Sequence, residues 1–144
     1  MAKTERIQAQ EVEETPGYAW AIGAAAWFLP GLGHALLKKF GRAAVMGGAV
    51  LACFVIGLVM GGHMFAVSTD QSSSQILVAI PMIGNVGMGA PYIVSWLAGF
   101  GFADDPAQAA RATYEYGNIF LLIGGLLNYL AMLDAFDIAA GRKP

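Results

Sequence analysis

Residues 43–65 read AAVMGGAVLACFVIGLVMGGHMF, with neither a charge nor a proline. A helix needs about 20 apolar residues to cross a bilayer, so this stretch is long enough to span one. Ala49, Cys53, Gly57 and Gly61 recur every four residues within it, which places small side chains on one helix face. Gly57 and Gly61 form a GxxxG pair, a spacing that lets a second helix approach closely in lipid. That helix-packing face can serve the chain's own helices or a second copy.

Three further windows lack any charged residue: 15–37, 71–103 and 116–133. Charged residues make up only 12% of the 144, against about 25% in soluble domains. Hydrophobic residues make up 57%, so a soluble fold would have little polar surface to turn to water. The expected fold is all-α: an integral membrane helical bundle of three to four apolar helical segments, in one domain over residues 17–144. Residues 1–16 read as a polar mobile tail. It lacks the basic start of a secretory signal, because Lys3 and Arg6 are outweighed by Glu5, Glu11, Glu13 and Glu14.

Two of the apolar segments are interrupted. Pro30-Gly31-Leu32-Gly33 breaks or kinks the first, which runs from Tyr18 to Leu37, and His34 follows directly. The third, Ile76–Ala103, contains Pro81 and Pro91, with Gly84, Asn85, Gly87 and Gly89 among the residues between them. A regular helix through that stretch is unfavourable. Either it is a single kinked span, or it breaks at Gly84–Pro91 and re-enters on the side it came from, as broken helices do around transporter sites. The polar loop at 104–116 has room for a short helix after Pro106.

Few residues carry chemistry. His34 and His63 lie near opposite ends of the membrane segments, so one haem cannot bridge them. Met60, His63 and Met64 stand at i, i+3, i+4, a spacing that suits a soft metal, although packing explains the methionines as well. Cys53 is the only cysteine, so no intrachain disulfide forms. There is no nucleophile elbow, no HExxH and no phosphate-binding glycine loop. Neither a metal site nor a cofactor is expected, and the protein is not expected to be an enzyme. The net charge of −2 argues against nucleic-acid binding. Asn85, Asn118 and Asn128 are the polar groups placed to hydrogen-bond between helices.

Asp134 and Asp137 lie on one face of the last segment, close to its C-terminal end, where the helix dipole disfavours negative charge. Cationic partners are therefore expected from the connector Lys38, Lys39 and Arg42, besides Arg142 and Lys143 of the tail. That pairing puts the connector and the C-terminus at one membrane surface, cytoplasmic by the positive-inside rule. Ile76–Ala103 is then a re-entrant hairpin from the other surface.

Phe28-Leu29-Pro30-Gly31-Leu32-Gly33-His34, followed by Lys38-Lys39-Phe40-Gly41-Arg42, resembles the turn of the two-transmembrane-helix domain and its bacterial relatives. Residues 126–139 (LLNYLAMLDAFDIA) resemble the last helix of a related bacterial membrane family of unknown function. The resemblance implies a multi-pass protein of the bacterial inner membrane and brings no activity with it. The expected partners are the lipid bilayer and a homo-oligomer or larger membrane complex. The expected role is structural or in assembly, with a small transporter or channel lined by the broken third segment as the alternative.

Overall fold

The computed structural model describes residues 15–66, 75–103 and 105–144, so the expected polar tail lies outside the described residues except for Thr15 and Pro16. Every element among these residues is helical: α1 (Gly17–Phe28), α2 (Leu32–Leu36), α3 (Phe40–Val59), α4 (Gln75–Val86), α5 (Ala90–Ala98), α6 (Pro106–Ala109) and α7 (Tyr114–Ala139). Two of them, α3 and α7, are long and apolar enough to cross a membrane. With 20 and 26 residues, they reach about 30 and 39 Å at 1.5 Å per residue.

α7 is the central element, packing against α1, α2, α3 and α4. It runs antiparallel to α3, and glycine sets how closely the two approach. A Cβ on Gly117 would lie 2.6 Å from the Gly62 nitrogen and 2.8 Å from the Gly57 oxygen. Further along, Gly124 faces Val50 and Cys53, and Asp134 reaches Arg42. The end of the bundle that holds Asp134 is called proximal below, and the end that holds Gly117 distal.

The first apolar segment is divided in two. Pro30 has no backbone donor and forces Leu29 into an extended conformation (φ −122°, ψ 115°), which ends α1 after 12 residues, about 18 Å. Gly31 then turns the chain at φ +86°. α1 starts at the proximal end, where Thr15 accepts a hydrogen bond from Arg142 and Trp20 packs 4.8 Å from Phe136. It descends to the level of Asn128, and α2 climbs back beside Ala135. This segment is therefore a helical hairpin of about half the height of α7 and does not cross the bundle.

The third apolar segment holds α4 and α5, with Gly87, Met88 and Gly89 between them. α4 keeps Pro81 inside it and runs parallel to α7, with Gly84 near Leu122 and Gly87 near Gly125 and Tyr129. Gly89 reverses the chain at φ +67°, and Pro91 opens α5, where its missing donor costs nothing. α5 returns toward the distal end, where the Gly101 oxygen accepts from the Met64 nitrogen at 2.7 Å.

The surface is apolar and much of the interior is small or polar. Trp20, Phe40, Val45, Val59, Trp96, Leu97 and Phe100 are each at least 60% exposed, while His34, Asn85, Ser95 and Asn128 are buried. Met64, Met88 and Leu121 form a small buried apolar cluster on the distal side of the turn between α4 and α5.

The glycine contact between α3 and α7 predicts a contrast between two substitutions. Gly117→Ala sets a methyl group against backbone and should lower stability by about 1–3 kcal/mol, the scale of overpacking. Gly48→Ala adds its Cβ where nothing lies within 4 Å, and should be neutral or stabilising. Thermal unfolding of the two purified variants in one detergent checks this; equal melting temperatures would contradict the close contact.

Candidate functional site

The two hairpins enter from opposite ends, and their turns meet at Asn128 on α7. The side-chain Nδ2 of Asn128 donates to the Trp27 oxygen at 2.8 Å and to the Gly87 oxygen at 2.9 Å. Trp27 lies in the last turn of α1, where carbonyls lose their helical partners, and Gly87 lies just beyond the end of α4. One buried carboxamide thus satisfies an orphan acceptor on each hairpin. Gly89 touches the Trp27 and Phe28 oxygens so closely that any side chain there would collide with them. Gly84 and Gly125 bring α4 against α7 in the same way, and Tyr129 donates to the Ile83 oxygen at 3.1 Å.

A cavity of about 230 Å³ opens at the distal end, lined by His63, Phe65, Pro81, Asn85, Glu115, Asn118, Ile119 and Leu122. Asn118 fixes its wall by accepting from the His63 backbone nitrogen at 2.7 Å. Nearby, Thr113 donates to the Met60 oxygen at 2.8 Å and ties the start of α7 to the end of α3. Asn85 is 98% buried, and its Nδ2 has no hydrogen-bond partner among the described residues; the same holds for Asn128 Oδ1 and His34 Nδ1. Glu115 can accept a hydrogen bond from a small ligand here, while the free Asn85 donor lies buried behind the cavity wall.

A charged cluster occupies the proximal end. His34 is fully buried, and its Nε2 lies 3.0 Å from Asp134 Oδ2, which places the donated proton on that nitrogen. Asp134 also meets Lys143 at 3.0 Å and Arg42 at 3.8 Å, while Asp137 meets Arg142 and Lys143 at 3.6 Å each. Lys38 and Lys39 stay in the connector and pair with neither aspartate. The Lys143 hydrogen bond to Asp134, reinforced by the charges of both aspartates, raises the lysine above its ordinary 10.5. A cation whose pKa is raised by folding adds stability below its ordinary pKa, and loses it as pH climbs through the raised value. On the alkaline side the pair is therefore intact at neutral pH and is lost as pH climbs past 10.5.

Two spacings read along one helix are interrupted in the structure. α3 ends at Val59, so Met60, His63 and Met64 do not share a helix face. Met64 instead packs on Met88 and Leu121, and the His63 ring meets Phe65 edge-on at 5.0 Å. The small-residue strip is also split. Gly57 is buried against Leu121 and Gly117 of α7, and Cys53 faces Gly124. Ala49 is exposed, and Gly61 lies beyond the helix end at φ +85°. In the sequence His34 stands in a turn and is one of two histidines too far apart for one haem; its partner lies 100 residues away, and no local pattern announces it.

Asn128→Leu removes both donors and leaves the Trp27 and Gly87 oxygens buried without them. At about 1–3 kcal/mol for each unsatisfied group, the melting temperature should fall clearly. Asn128→Asp should be worse, because a carboxylate would face two carbonyl oxygens. A leucine variant that melts like the parent would show that the amide does not hold the tips. At the proximal end, Lys143→Met should leave the melting temperature near pH 7 lower and flatten its decline above pH 10.5, as read in a pH series of the same melts.

No curated protein and no solved structure matches the chain. A family model does match, over residues 21–144. It is described as a family of unknown function, DUF6677. The match covers nearly all of the described bundle, both hairpins and both long helices, and the chain belongs to that family.

Proposed function

We propose that this chain is a non-enzymatic, multi-pass protein of the bacterial inner membrane that passes a small polar solute or ion between its two hairpins. The membrane setting is supported by α3 and α7, whose most apolar windows are only 17% and 33% buried. The core helix of a soluble protein would be covered far more fully. Contiguous exposed apolar surface on this scale marks contact with lipid or with other chains. In that setting α3 and α7 are the full spans, and the two hairpins are re-entrant. The likeness of the Pro30–Arg42 turn to the two-transmembrane-helix domain supports the bacterial assignment.

The observation that carries the transport reading is the meeting of two hairpin turns at Asn128. Non-helical backbone at membrane depth is tolerated where it is buried in protein or lines a water-filled path. Half-length helices ending at mid-depth are also how transporters build their binding sites. The distal cavity leads to Asn85, and Asn128 and the His34–Asp134 pair lie further along α7. In this reading the buried Met88 and Leu121 stand between the cavity and Asn128, and passage requires the second hairpin to move away from α7. A structural or assembly role is the second reading, favoured by the exposure of Ala49 in an apolar groove between α3 and α7.

Basic residues support the orientation. Lys38, Lys39, Arg42, Arg142 and Lys143 sit at the proximal end, and among the described residues only Arg111 sits at the distal end. The positive-inside rule makes the proximal end cytoplasmic. Reporter tags within Lys38–Arg42 and after Pro144 should therefore report the same side; opposite sides would defeat the two-hairpin topology.

Proteoliposomes test the transport reading directly. Swelling in urea or glycerol gradients and a proton-sensitive dye should reveal at least one flux well above that of protein-free vesicles. Asn85→Leu, which alters the cavity wall and leaves the Asn128 clamp in place, should reduce that flux several-fold. Vesicles as tight as the controls to urea, glycerol and protons would overturn the proposal.

A further inference from the structure

An apolar groove of about 530 Å³ runs between α3 and α7 at the proximal end. Val45, Met46 and Ala49 form one wall and Leu127, Leu130 and Leu133 the other, with Asp134, Asp137 and Lys143 at the mouth. The three leucines and the Ala49 side are exposed, so the groove opens outward from the bundle. We infer that this groove is a binding site for one anionic glycerophospholipid, with an acyl chain along the groove and the phosphate at Lys143 and Arg42. The inference rests on the membrane setting proposed above and is independent of the transport reading.

Depth, lining and charge each favour this occupant. From Asp137 down to Leu127 the groove follows ten residues of α7, about 15 Å, which is half of a hydrocarbon core of about 30 Å. It is as deep as one leaflet and ends where an acyl chain of that leaflet would end. Over that depth the walls, Val45, Met46 and Ala49 on one side and three leucines on the other, are apolar, as an acyl chain requires.

The mouth lies where a headgroup would. Lys143 is held there by Asp134 at 3.0 Å, and Arg42 approaches the same carboxylate at 3.8 Å, one turn before Val45 and Met46. Two carboxylates alone would repel a phosphate. Among the described residues, however, this end carries five cations, Lys38, Lys39, Arg42, Arg142 and Lys143, against Asp134 and Asp137. Among these residues the surplus is positive, and basic groups at the membrane surface attract anionic lipid. Each long cationic side chain can reach up to the headgroup level while its stem stays on apolar surface.

Thermal shift of the full chain in a neutral detergent tests the site, with phosphatidylglycerol or phosphatidylcholine added to the micelles. A ligand that binds only the folded state raises the melting temperature with its concentration. Phosphatidylglycerol should stabilise with an apparent affinity about ten-fold tighter than phosphatidylcholine, the order expected of two cations facing an anionic headgroup. Ala49→Trp, which fills the groove, should abolish the shift with both lipids. Val55→Trp, on an exposed part of α3 that does not line the groove, should leave it intact. The Arg42→Gln/Lys143→Gln pair should lose the preference for phosphatidylglycerol and keep the shift given by phosphatidylcholine. A shift that survives Ala49→Trp, or one reproduced by inorganic phosphate alone, would overturn the site. So would an Ala49→Trp variant that changes oligomer mass on native mass spectrometry without losing bound lipid, because the groove would then belong to a second copy.

Discussion

The amide of Asn128 faces a problem that any chain with unwound backbone in an apolar interior must solve. A carbonyl with no donor is costly wherever water is scarce, and each of the two hairpins leaves such carbonyls at its turn. Asn128 offers its two hydrogens to one acceptor on each, Trp27 and Gly87. The depth of both hairpins follows from this, since neither tip can move along α7 without losing its bond. The glycines around the clamp follow too. Gly84, Gly87, Gly89 and Gly125 are small because the backbones that the amide joins must lie nearly in contact. The polar contacts beyond the clamp lie toward the two ends of α7: Asn118 and His63 on one side, Asp134 with His34, Arg42 and Lys143 on the other.

An apolar exterior around a small and partly polar interior reverses the usual arrangement of a soluble domain, and it changes which forces hold the helices together. Side chains as large as Trp96, Leu97 and Val59 lie outside, so their burial against the bundle adds little. Close backbone approach at Gly57, Gly62 and Gly117 supplies dispersion contacts instead, as small residues do between helices in lipid. Hydrogen bonds across helices supply the rest, from Thr113, Tyr129, Tyr92 and Asn128 to backbone oxygens. Each of them closes a valence that would otherwise be left open in an apolar place.

How much of this could be read from the sequence depended on whether the cause was local. The helical class and the apolar windows were legible, because hydropathy and the absence of charge are local properties. The points where the chain turns were also marked, by Pro30-Gly31 and by the glycines between Pro81 and Pro91. The shape of the first segment was not legible. A window of twenty apolar residues reads the same whether the helix crosses or doubles back at Gly31, and only packing against Gly47 and Ala135 distinguishes the two. Asn128 was recognisable as a residue that bonds between helices, but its two acceptors are main-chain atoms and leave no trace in side-chain identity. The i, i+3, i+4 spacing of Met60, His63 and Met64 holds only along a continuous helix, and α3 stops at Val59.

The clamp joins residues far apart in the chain, and that has a bearing on how the protein is made. Trp27 precedes the amide that satisfies it by 101 residues, and Gly87 precedes it by 41. At synthesis rates of about 5–20 residues per second, the first hairpin exists for roughly 5–20 s before its donor has been translated. During that interval its turn is either hydrated near the surface or covered by something other than α7. The final depth of both hairpins is therefore set late, by the arrival of the C-terminal helix. A ribosome that stalls after the second hairpin but before residue 128 would leave both hairpins with open carbonyls.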